Sequence, residues 1–336
     1  MPKATIADVA RMANVSTMTV SRVVNNKGVT SAATRSRVEE AITTVGYRPN
    51  RLARALTQRR TQTLGLVVPD IANPFFADIV RGAEDEAWER GYTLLIGSTV
   101  EQAERERRLL DGLEERHVDG LLLCSSRLSD ALLTELIAAQ PATLLVNRVL
   151  SGSGALTLQT DDADGARQAL AHLLSRGHQR IGLLAGPESS QSGRLRLEGY
   201  RSALDGAGLE VNERNICFCT PDERGGYEAG LALLHSRPEL EALFCYNDLV
   251  AIGVLQACRE LGRGVPGDLA IVGCDDIRLA SLIHPALTTL RTDRVQLGRQ
   301  AVQLLLGQLG ELPETSEQPS DVTTLKPELI VRSSAP

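Results

Sequence analysis

The chain has 336 residues, 43% hydrophobic and 23% charged, which allows two or three domains and is ordinary for a soluble globular protein. Its first residues show no signal-peptide core and no stretch is long enough to span a membrane, so we expect a cytoplasmic protein that does not bind membranes. Residues 1–60 contain eleven basic and three acidic residues, whereas the whole chain has a net charge of −6. This asymmetry predicts that only the basic N-terminal segment binds a polyanion.

Residues 5–46 predict three short helices. Thr5 can cap the first helix, a turn follows at Asn14, and Ser16 can cap the second helix. The third helix begins after Ser31. The pattern predicts a small all-α domain over residues 1–48.

The second of these helices, in STMTVSRVVN, has two faces. Val20, Val23 and Val24 are spaced to face a core together, so the polar residues between them point outward. In a helix-turn-helix motif the second helix enters the major groove, and residues near its N-terminus reach the base edges. Arg22 can contact guanine with two hydrogen bonds, and Thr17 can offer a methyl group or a hydroxyl. The spacing favours a DNA-recognition helix over a solvated basic hairpin.

A basic linker, RPNRLARALTQRR, follows the predicted domain. Asn50 can cap one or two helical turns, but an isolated helix of this length is marginal in water. We interpret residues 49–61 as a linker that becomes helical only when something supports it.

From Thr63 onward, apolar strands alternate with amphipathic helices. The first series is LGLVVPD, YTLLIGS, DGLLLCS and TLLVNR, and the second is RIGLLAG, NICFCT, ALFCYND and LAIVGCDD. Such strands predict parallel sheets covered on both faces. We expect an α/β core of two Rossmann-like subdomains, the first formed by residues 62–159 and 291–318 and the second by residues 160–290 and 319–336.

Signatures of catalysis and of metal binding are missing from the sequence. It contains no G-x-S-x-G, no phosphate-binding G-x-x-x-x-G-K-S/T and no H-E-x-x-H, and its five histidines are scattered. The six cysteines form no C-x-x-C pair, so we expect reduced thiols that serve as small core residues. These observations predict neither an enzyme nor a protein with a metal or another cofactor.

The N-terminal ATIADVARMANVSTMTVSRVVN, followed by GYRPNRLARAL, resembles the head of the LacI family of bacterial repressors. The match continues through NPFFADIVRGAE, VDGLLL, GRLRLEGYRSAL and VGCDDIRLASLIHPALTTLRTD, so it covers nearly the whole chain. Within the family, the body is most similar to ribose and purine repressors. The resemblance implies a helix-turn-helix head, a hinge helix, and a core shaped like periplasmic sugar-binding proteins.

The resemblance also implies how DNA is bound. The family binds palindromic operator DNA as a homodimer, and its hinge helices pair across the dimer and push a leucine, here Leu56, into the minor groove. The alternative for Leu56 is packing against its own core. Lys27, Arg35 and Arg37 are better placed for phosphates than for bases. The expected DNA-binding residues are Thr5, Ser16, Thr17, Met18, Ser21, Arg22, Asn25, Asn50, Ala53 and Leu56.

Polar and aromatic residues follow several strands at their carboxyl ends, where α/β sheets bind ligands. One such residue alone would most often be a loop or cap residue, but several at the same end of two sheets predict a pocket. The expected effector-binding residues are Asn73, Phe75, Phe76, Asn147, Arg148, Arg196, Asn247 and Asp275.

By resemblance to ribose-binding proteins of the same fold, this pocket suits a ribose-like pentose or another small aldose. Two positions depart from the family patterns: Asn147 stands where the ribose pattern has an aspartate, and Ser190 stands where purine repressors have an arginine. We expect a repressor that a sugar releases from DNA, with a purine-type corepressor-activated regulator as the alternative. A sugar-binding protein without DNA function and an enzyme on the same fold are the competing classes. The sequence leaves open whether the protein forms a dimer or a tetramer.

Overall fold

The structure is a computed structural model. Its described residues are 4–24, 29–47, 60–140, 142–311 and 321–336. Most of the predicted hinge helix, with Asn50, Ala53 and Leu56, lies outside these residues, as do Asn25 and Lys27. The chain divides into two compact units, Met1–Thr61 and Gln62–Pro336. The first is all-α and the second is α/β with parallel sheets, as the sequence predicts.

The N-terminal unit contains helices α1 (Ile6–Ala13), α2 (Thr17–Val24) and α3 (Ala32–Val45). Thr5 and Asp8 form a capping box, in which the Thr5 hydroxyl oxygen accepts from the Asp8 amide at 3.4 Å and the Asp8 carboxylate accepts from the Thr5 amide at 3.0 Å. These contacts begin α1 at a defined residue. The three helices bury one small aliphatic core, whose fully buried members are Val9, Val20, Val23, Val38, Ala10, Ala13 and Ala41.

The C-terminal unit contains two sheets, and the first is parallel throughout. Its strand order is β11-β5-β4-β3-β1-β2. The strands are β1 (Thr63–Val68), β2 (Thr93–Ser98), β3 (Gly120–Cys124), β4 (Thr143–Val146), β5 (Leu156–Thr160) and β11 (Val322–Leu325). The helices that accompany this sheet are α4 (Pro74–Glu89), α5 (Ala103–Glu115), α6 (Asp130–Ala139) and α12 (Arg294–Gln308). These elements form the first subdomain.

The second sheet has the order β12-β10-β9-β8-β6-β7 and is parallel except for β12. Its strands are β6 (Ile181–Leu184), β7 (Ile216–Cys217), β8 (Ala242–Cys245), β9 (Ala270–Asp275), β10 (Thr288–Arg291) and β12 (Glu328–Ile330). The helices of this second subdomain are α7 (Asp162–Ser175), α8 (Gln191–Gly206), α9 (Glu223–Ser236), α10 (Asp248–Glu260) and α11 (Arg278–Leu282). Within the described part of the chain, none of the helices is both long and apolar enough to cross a bilayer.

The structure differs from the sequence prediction at the subdomain crossings. Strand β11 pairs with β5 of the first sheet, so the assignment of residues 322–325 to the second subdomain is wrong, whereas β12 lies in the second sheet as predicted. The chain crosses to the second sheet between Leu325 and Glu328, and Arg291 still belongs to β10 of that sheet. The short strands β5, β10 and β11 alternate polar and apolar residues or pair with distant partners, which is why no long apolar run marks them.

Glycines allow α4 and α12 to cross at close range over the first sheet. A Cβ atom on Gly82 would lie 1.9 Å from the Val295 carbonyl oxygen, and one on Gly298 would lie 2.1 Å from the Ile79 carbonyl oxygen. Each added Cβ atom would face backbone atoms of the opposite helix, so moving a side chain could not relieve the contact. The crossing holds the helix that carries Phe75 and Phe76 against the sheet.

We therefore expect Gly298→Ala to lower the free energy of unfolding by about 1–3 kcal/mol, because the added methyl group forces the two helices apart. Urea unfolding followed by circular dichroism measures this change. Gly206→Ala is the matched control, since a Cβ atom there meets nothing within 4 Å. Equal stability of the two variants would contradict the close crossing.

Candidate DNA-binding helix and effector cleft

Helix α2 presents the outward face that the sequence predicts for recognition. Val20 and Val23 are buried, whereas Thr17 and Arg22 are exposed and Met18 is 64% exposed. Ser21 is half-buried beside them. A hydroxyl, a thioether and a guanidinium therefore stand on one helix face, where they are free of the domain's own core.

Thr5 and Ser16 stand at the N-termini of α1 and α2. The Ser16 hydroxyl oxygen accepts from the Thr19 amide at 3.1 Å, as the Thr5 hydroxyl does from Asp8. Both side chains are exposed, but their hydroxyl groups already cap helices. At these two positions DNA would meet a helix N-terminus, which favours an anionic phosphate. The two hydroxyl groups are already engaged in the caps.

The second site is a narrow cavity between the carboxyl ends of the two sheets. Seven of the eight predicted effector residues line it, and only Arg148 does not. The lining residues are Asn73, Phe75, Phe76, Glu101, Ser125, Asn147, Ser192, Arg196, Pro221, Tyr246, Asn247 and Asp275.

The three asparagines of the cavity are fixed by backbone contacts. Asn73 caps α4 by accepting from the Phe75 amide at 2.9 Å, and Asn247 caps α10 by accepting from the Val250 amide at 2.8 Å. Asn147 accepts from the Thr160 amide at 2.8 Å. In each case the side-chain oxygen holds the backbone, so the amide enters the cavity in one orientation. The site is preorganised in this respect.

Phe75 and Phe76 form the apolar part of the lining. Their ring centroids are 5.1 Å apart at an interplanar angle of 88°, an edge-to-face pair. They are 8% and 7% exposed. Because Asn73 caps the helix just before them, the first turn of α4 brings an amide and two aromatic rings to the same place.

Arg196 is a buried arginine with two donors left for a ligand. Its Nε donates to Asp162 Oδ1 at 2.9 Å, its Nη2 lies 2.8 Å from the same oxygen, and its Nη1 donates to the Tyr246 carbonyl oxygen. A guanidinium has five N–H groups. Three are therefore used inside the protein, and one on each Nη remains available at the cavity.

Asp275 is the acidic residue of the lining from the second subdomain. It is 6% exposed, and burial raises its pKa to about 7, although Arg196 and Arg294 pull the pKa down. The Arg294 guanidinium donates to its carbonyl oxygen, and its φ of 117° is a conformation that L-residues rarely adopt. At neutral pH this carboxyl group is poised between its two forms.

Arg148 does not reach the cavity, contrary to the sequence prediction. Its Nη1 donates to the Val149 carbonyl oxygen at 3.0 Å, and its Nη2 donates to Asp130 Oδ1 at 2.5 Å. Asn147, which has a φ of 52°, lines the cavity, whereas the next side chain, Arg148, is directed to Asp130. Arg148 thus contacts the start of α6 and does not line this cavity.

Sequence reasoning missed five lining residues: Glu101, Ser125, Ser192, Pro221 and Tyr246. One signal was available, because Tyr246 directly precedes Asn247 at the end of an apolar run. Glu101 and Ser125 carry positive φ angles of 59° and 47°, which a sequence does not reveal. Strained backbone of this kind collects at functional sites.

Within the described residues, no group of three His, Cys, Asp or Glu side chains is arranged to hold a metal ion. Of the six free cysteines, Cys217 and Cys219 are half-buried and the others are buried. Burial raises the pKa of the Cys124 thiol to about 12, so this thiol is a packing group rather than a nucleophile.

Two family models match the chain: "Bacterial regulatory proteins, lacI family" over residues 5–50 and "Periplasmic binding protein-like domain" over residues 170–335. The chain is 38% identical to the HTH-type transcriptional regulator GalR of Escherichia coli K12, over 98% of this chain and 95% of that protein. It is 37% identical to the HTH-type transcriptional repressor CytR of the same strain, over 91% and 90%.

Solved structures agree. The lac repressor dimer bound to operator and the anti-inducer ONPF is 29% identical, with a TM-score of 0.88 over 99% of both chains. A complex of the regulator CelR with cellobiose is 34% identical, with a TM-score of 0.73 over 99% of this chain and 100% of that one. A regulator from Enterococcus faecium with bound ribose is 29% identical, with a TM-score of 0.70 over 81% and 98%.

These relatives are transcriptional regulators and not enzymes. The names GalR and CytR do not single out the ribose and purine branch that the sequence motifs suggest. A helix-turn-helix head with an exposed recognition face, a two-sheet core and full-length similarity lead to one conclusion: the chain belongs to the LacI family of bacterial transcriptional regulators.

Proposed function

We propose that the protein is a cytoplasmic repressor that binds a near-palindromic operator as a homodimer and that a small aldose releases from DNA. The observation that carries this proposal is the convergence of two aromatic rings, fixed amides, an arginine and an aspartate on one cavity. Aromatic faces suit the C–H surface of a sugar ring, and the polar groups suit its hydroxyls.

Charge around the cavity favours a neutral effector. Glu101 and Asp275 are acidic and Arg196 is the basic lining residue, already paired with Asp162. Glu101 is likewise paired with Arg127, so a phosphorylated sugar would find these arginines already bound to carboxylates. The two remaining N–H groups of Arg196 and the Asp275 carboxylate suit hydroxyl groups, which both donate and accept hydrogen bonds.

The size of the effector is supported by the ribose-bound relative. A ribose-like pentose or another small aldose is the class we favour. Ser190 counts against a purine corepressor, because its hydroxyl is fully buried and lies 2.9 Å from the Tyr246 hydroxyl. That second candidate predicts tighter operator binding when its ligand is present.

On the DNA side, we infer that the exposed face of α2 reads bases. Thr17, Met18, Ser21 and Arg22, with Asn25 beyond the described helix, are the proposed base-reading residues. Thr5 and Ser16 set register through phosphates at the helix N-termini. Asn50, Ala53 and Leu56, which also lie outside the described residues, complete the proposal as hinge residues that enter the minor groove.

A patch of exposed aliphatic side chains in the first subdomain supports the homodimer. Ile71, Ile96 and Val100 are 42%, 48% and 48% exposed, and β2 is an edge strand. The Ile71 amide donates to Ser98 Oγ at 3.2 Å, so these residues are neighbours. Exposed apolar patches mark interaction sites, and an isologous contact gives the two-fold symmetry that a palindrome requires.

Recognition by Arg22 gives the first test. We expect Arg22→Ala to weaken operator binding by about 1–3 kcal/mol and to relax the preference at one base pair, because a bidentate contact is lost. Fluorescence anisotropy on single-base operator variants measures both effects. Arg37→Ala, on the exposed surface of α3, is the control and should weaken all sequences alike. An unchanged base preference in Arg22→Ala would contradict the placement of α2 in the major groove.

Release by sugar gives the second test. We expect a small aldose to lower operator affinity and Arg196→Lys to lose at least tenfold in sugar affinity, since lysine cannot replace the guanidinium fork. The charge beside Asp162 is kept, so operator binding without sugar should persist. Arg194→Lys, exposed on the same helix, should respond normally. A ligand that instead tightens operator binding would favour the corepressor candidate.

The pKa of Asp275 gives the third test. A carboxylate accepts hydrogen bonds from hydroxyls better than a protonated carboxyl does, so sugar affinity should rise about tenfold from pH 6 to pH 8. Calorimetry across this range measures the slope, and Asp275→Asn should flatten it. The free energy of unfolding of the ligand-free protein should change in the opposite direction, because a carboxyl group with a raised pKa stabilises the fold at acid pH. That stabilisation is lost as pH rises through about 7. A flat profile in the unmodified protein would contradict the role of Asp275.

A further inference from the structure

Tyr246 forms a wall of the effector cavity and also packs against the core of the second subdomain. It follows β8 directly, precedes the capping residue Asn247, and is 8% exposed. Its ring is the largest side chain among the lining residues. Its position therefore bears directly on how large a ligand can be.

Three contacts hold the Tyr246 ring in place. Its hydroxyl lies 2.9 Å from Ser190 Oγ, which itself caps α8 by accepting from the Gly193 amide at 3.1 Å. The Arg196 guanidinium carbon lies 4.9 Å above the ring centroid, within cation–π range. On the remaining side, a Cβ atom on Gly186 would lie 2.4 Å from the ring carbons Cγ and Cδ2. The ring thus rests directly against the Gly186 backbone on that side.

The first subdomain braces the same wall from across the cleft. Arg127 donates from Nε to Glu101 Oε2 at 2.6 Å and from Nη1 to the Ser125 carbonyl oxygen at 3.0 Å. Its side chain is 2% exposed, and it lies close enough to the Tyr246 phenol for the two groups to interact electrostatically. The buried ion pair of Arg127 and Glu101 in the first subdomain therefore lies beside the Tyr246 phenol of the second.

We propose that Tyr246 is the specificity residue that limits the effector to a single sugar ring, an inference that rests on the sugar-binding function proposed above. A small residue here would leave an open slot bordered by Gly186, Ser190 and Arg196. The second ring of a disaccharide could extend into that slot. Because the chain is similar to regulators with bound ribose and with bound cellobiose, the shared fold accommodates both sizes and side chains must decide between them.

The experiment compares the full-length protein with Tyr246→Ala, Tyr246→Leu and Tyr246→Phe by calorimetry. The probes are a panel of aldopentoses and aldohexoses together with the disaccharide cellobiose. Thermal melting of each variant without ligand reports whether it is folded, and Tyr246→Leu serves where the larger cavity of Tyr246→Ala prevents folding. Tyr246→Phe removes the hydroxyl contact with Ser190 but keeps the ring.

We expect the unmodified protein and Tyr246→Phe to prefer the best monosaccharide over cellobiose by at least 100-fold. The preference should fall at least tenfold in Tyr246→Leu and further in Tyr246→Ala, because cellobiose affinity rises. Equal binding of both sugars by the unmodified protein, or an unchanged preference in a folded Tyr246→Leu or Tyr246→Ala variant, would overturn the role of Tyr246. If no sugar binds the unmodified protein, the proposed function fails and this inference fails with it, a result distinct from the other two.

Discussion

The buried ion pair between Arg196 and Asp162 organises the effector cleft. The two residues are 7% and 4% exposed, so removing their charges from water is costly, and only good geometry offsets that cost. The geometry is good: two guanidinium nitrogens meet one carboxylate oxygen, and a third donates to the Tyr246 carbonyl oxygen. The pair joins the first turn of α7 to the second turn of α8 and fixes the backbone at the end of β8. Arg196 also lies over the Tyr246 ring, and its charge partly offsets the burial that raises the pKa of Asp275.

The cleft is also a place where the backbone departs from its usual conformations. Glu101, Ser125, Asn147 and Asp275 all have positive φ angles, and each follows or ends a strand. Such residues raise the energy of the fold unless their surroundings hold them. Here the surroundings are caps and ion pairs, such as Asn147 with the Thr160 amide and Glu101 with Arg127. These backbone conformations bring polar side chains from several strand ends into one cavity. Regular strand ends would leave the same side chains dispersed.

Most of the architecture could be predicted because it follows from local sequence patterns. The capping residues Thr5 and Ser16, the valine stripe of α2 and the uninterrupted apolar strands each depend on neighbours within a few positions. Strands such as β11 were missed because their stability comes from a partner far away in the chain: Val322 pairs with Thr157. A pattern of four residues cannot reveal a pairing of that kind, and the subdomain boundary was misplaced for the same reason.

The sequence by itself determined the class of the protein, the exposed face of α2 and seven residues of the cavity, because strand ends and helix caps are local features. Only the tertiary structure decided which neighbouring side chains enter the cleft. Asn147 and Arg148 are adjacent in sequence, yet the first lines the cavity, where it accepts from the Thr160 amide, and the second pairs with Asp130. Likewise, Tyr246 becomes a wall only because Gly186, Ser190 and Arg196, distant along the chain, enclose its ring. Contacts between distant segments set these orientations, and no local pattern encodes them.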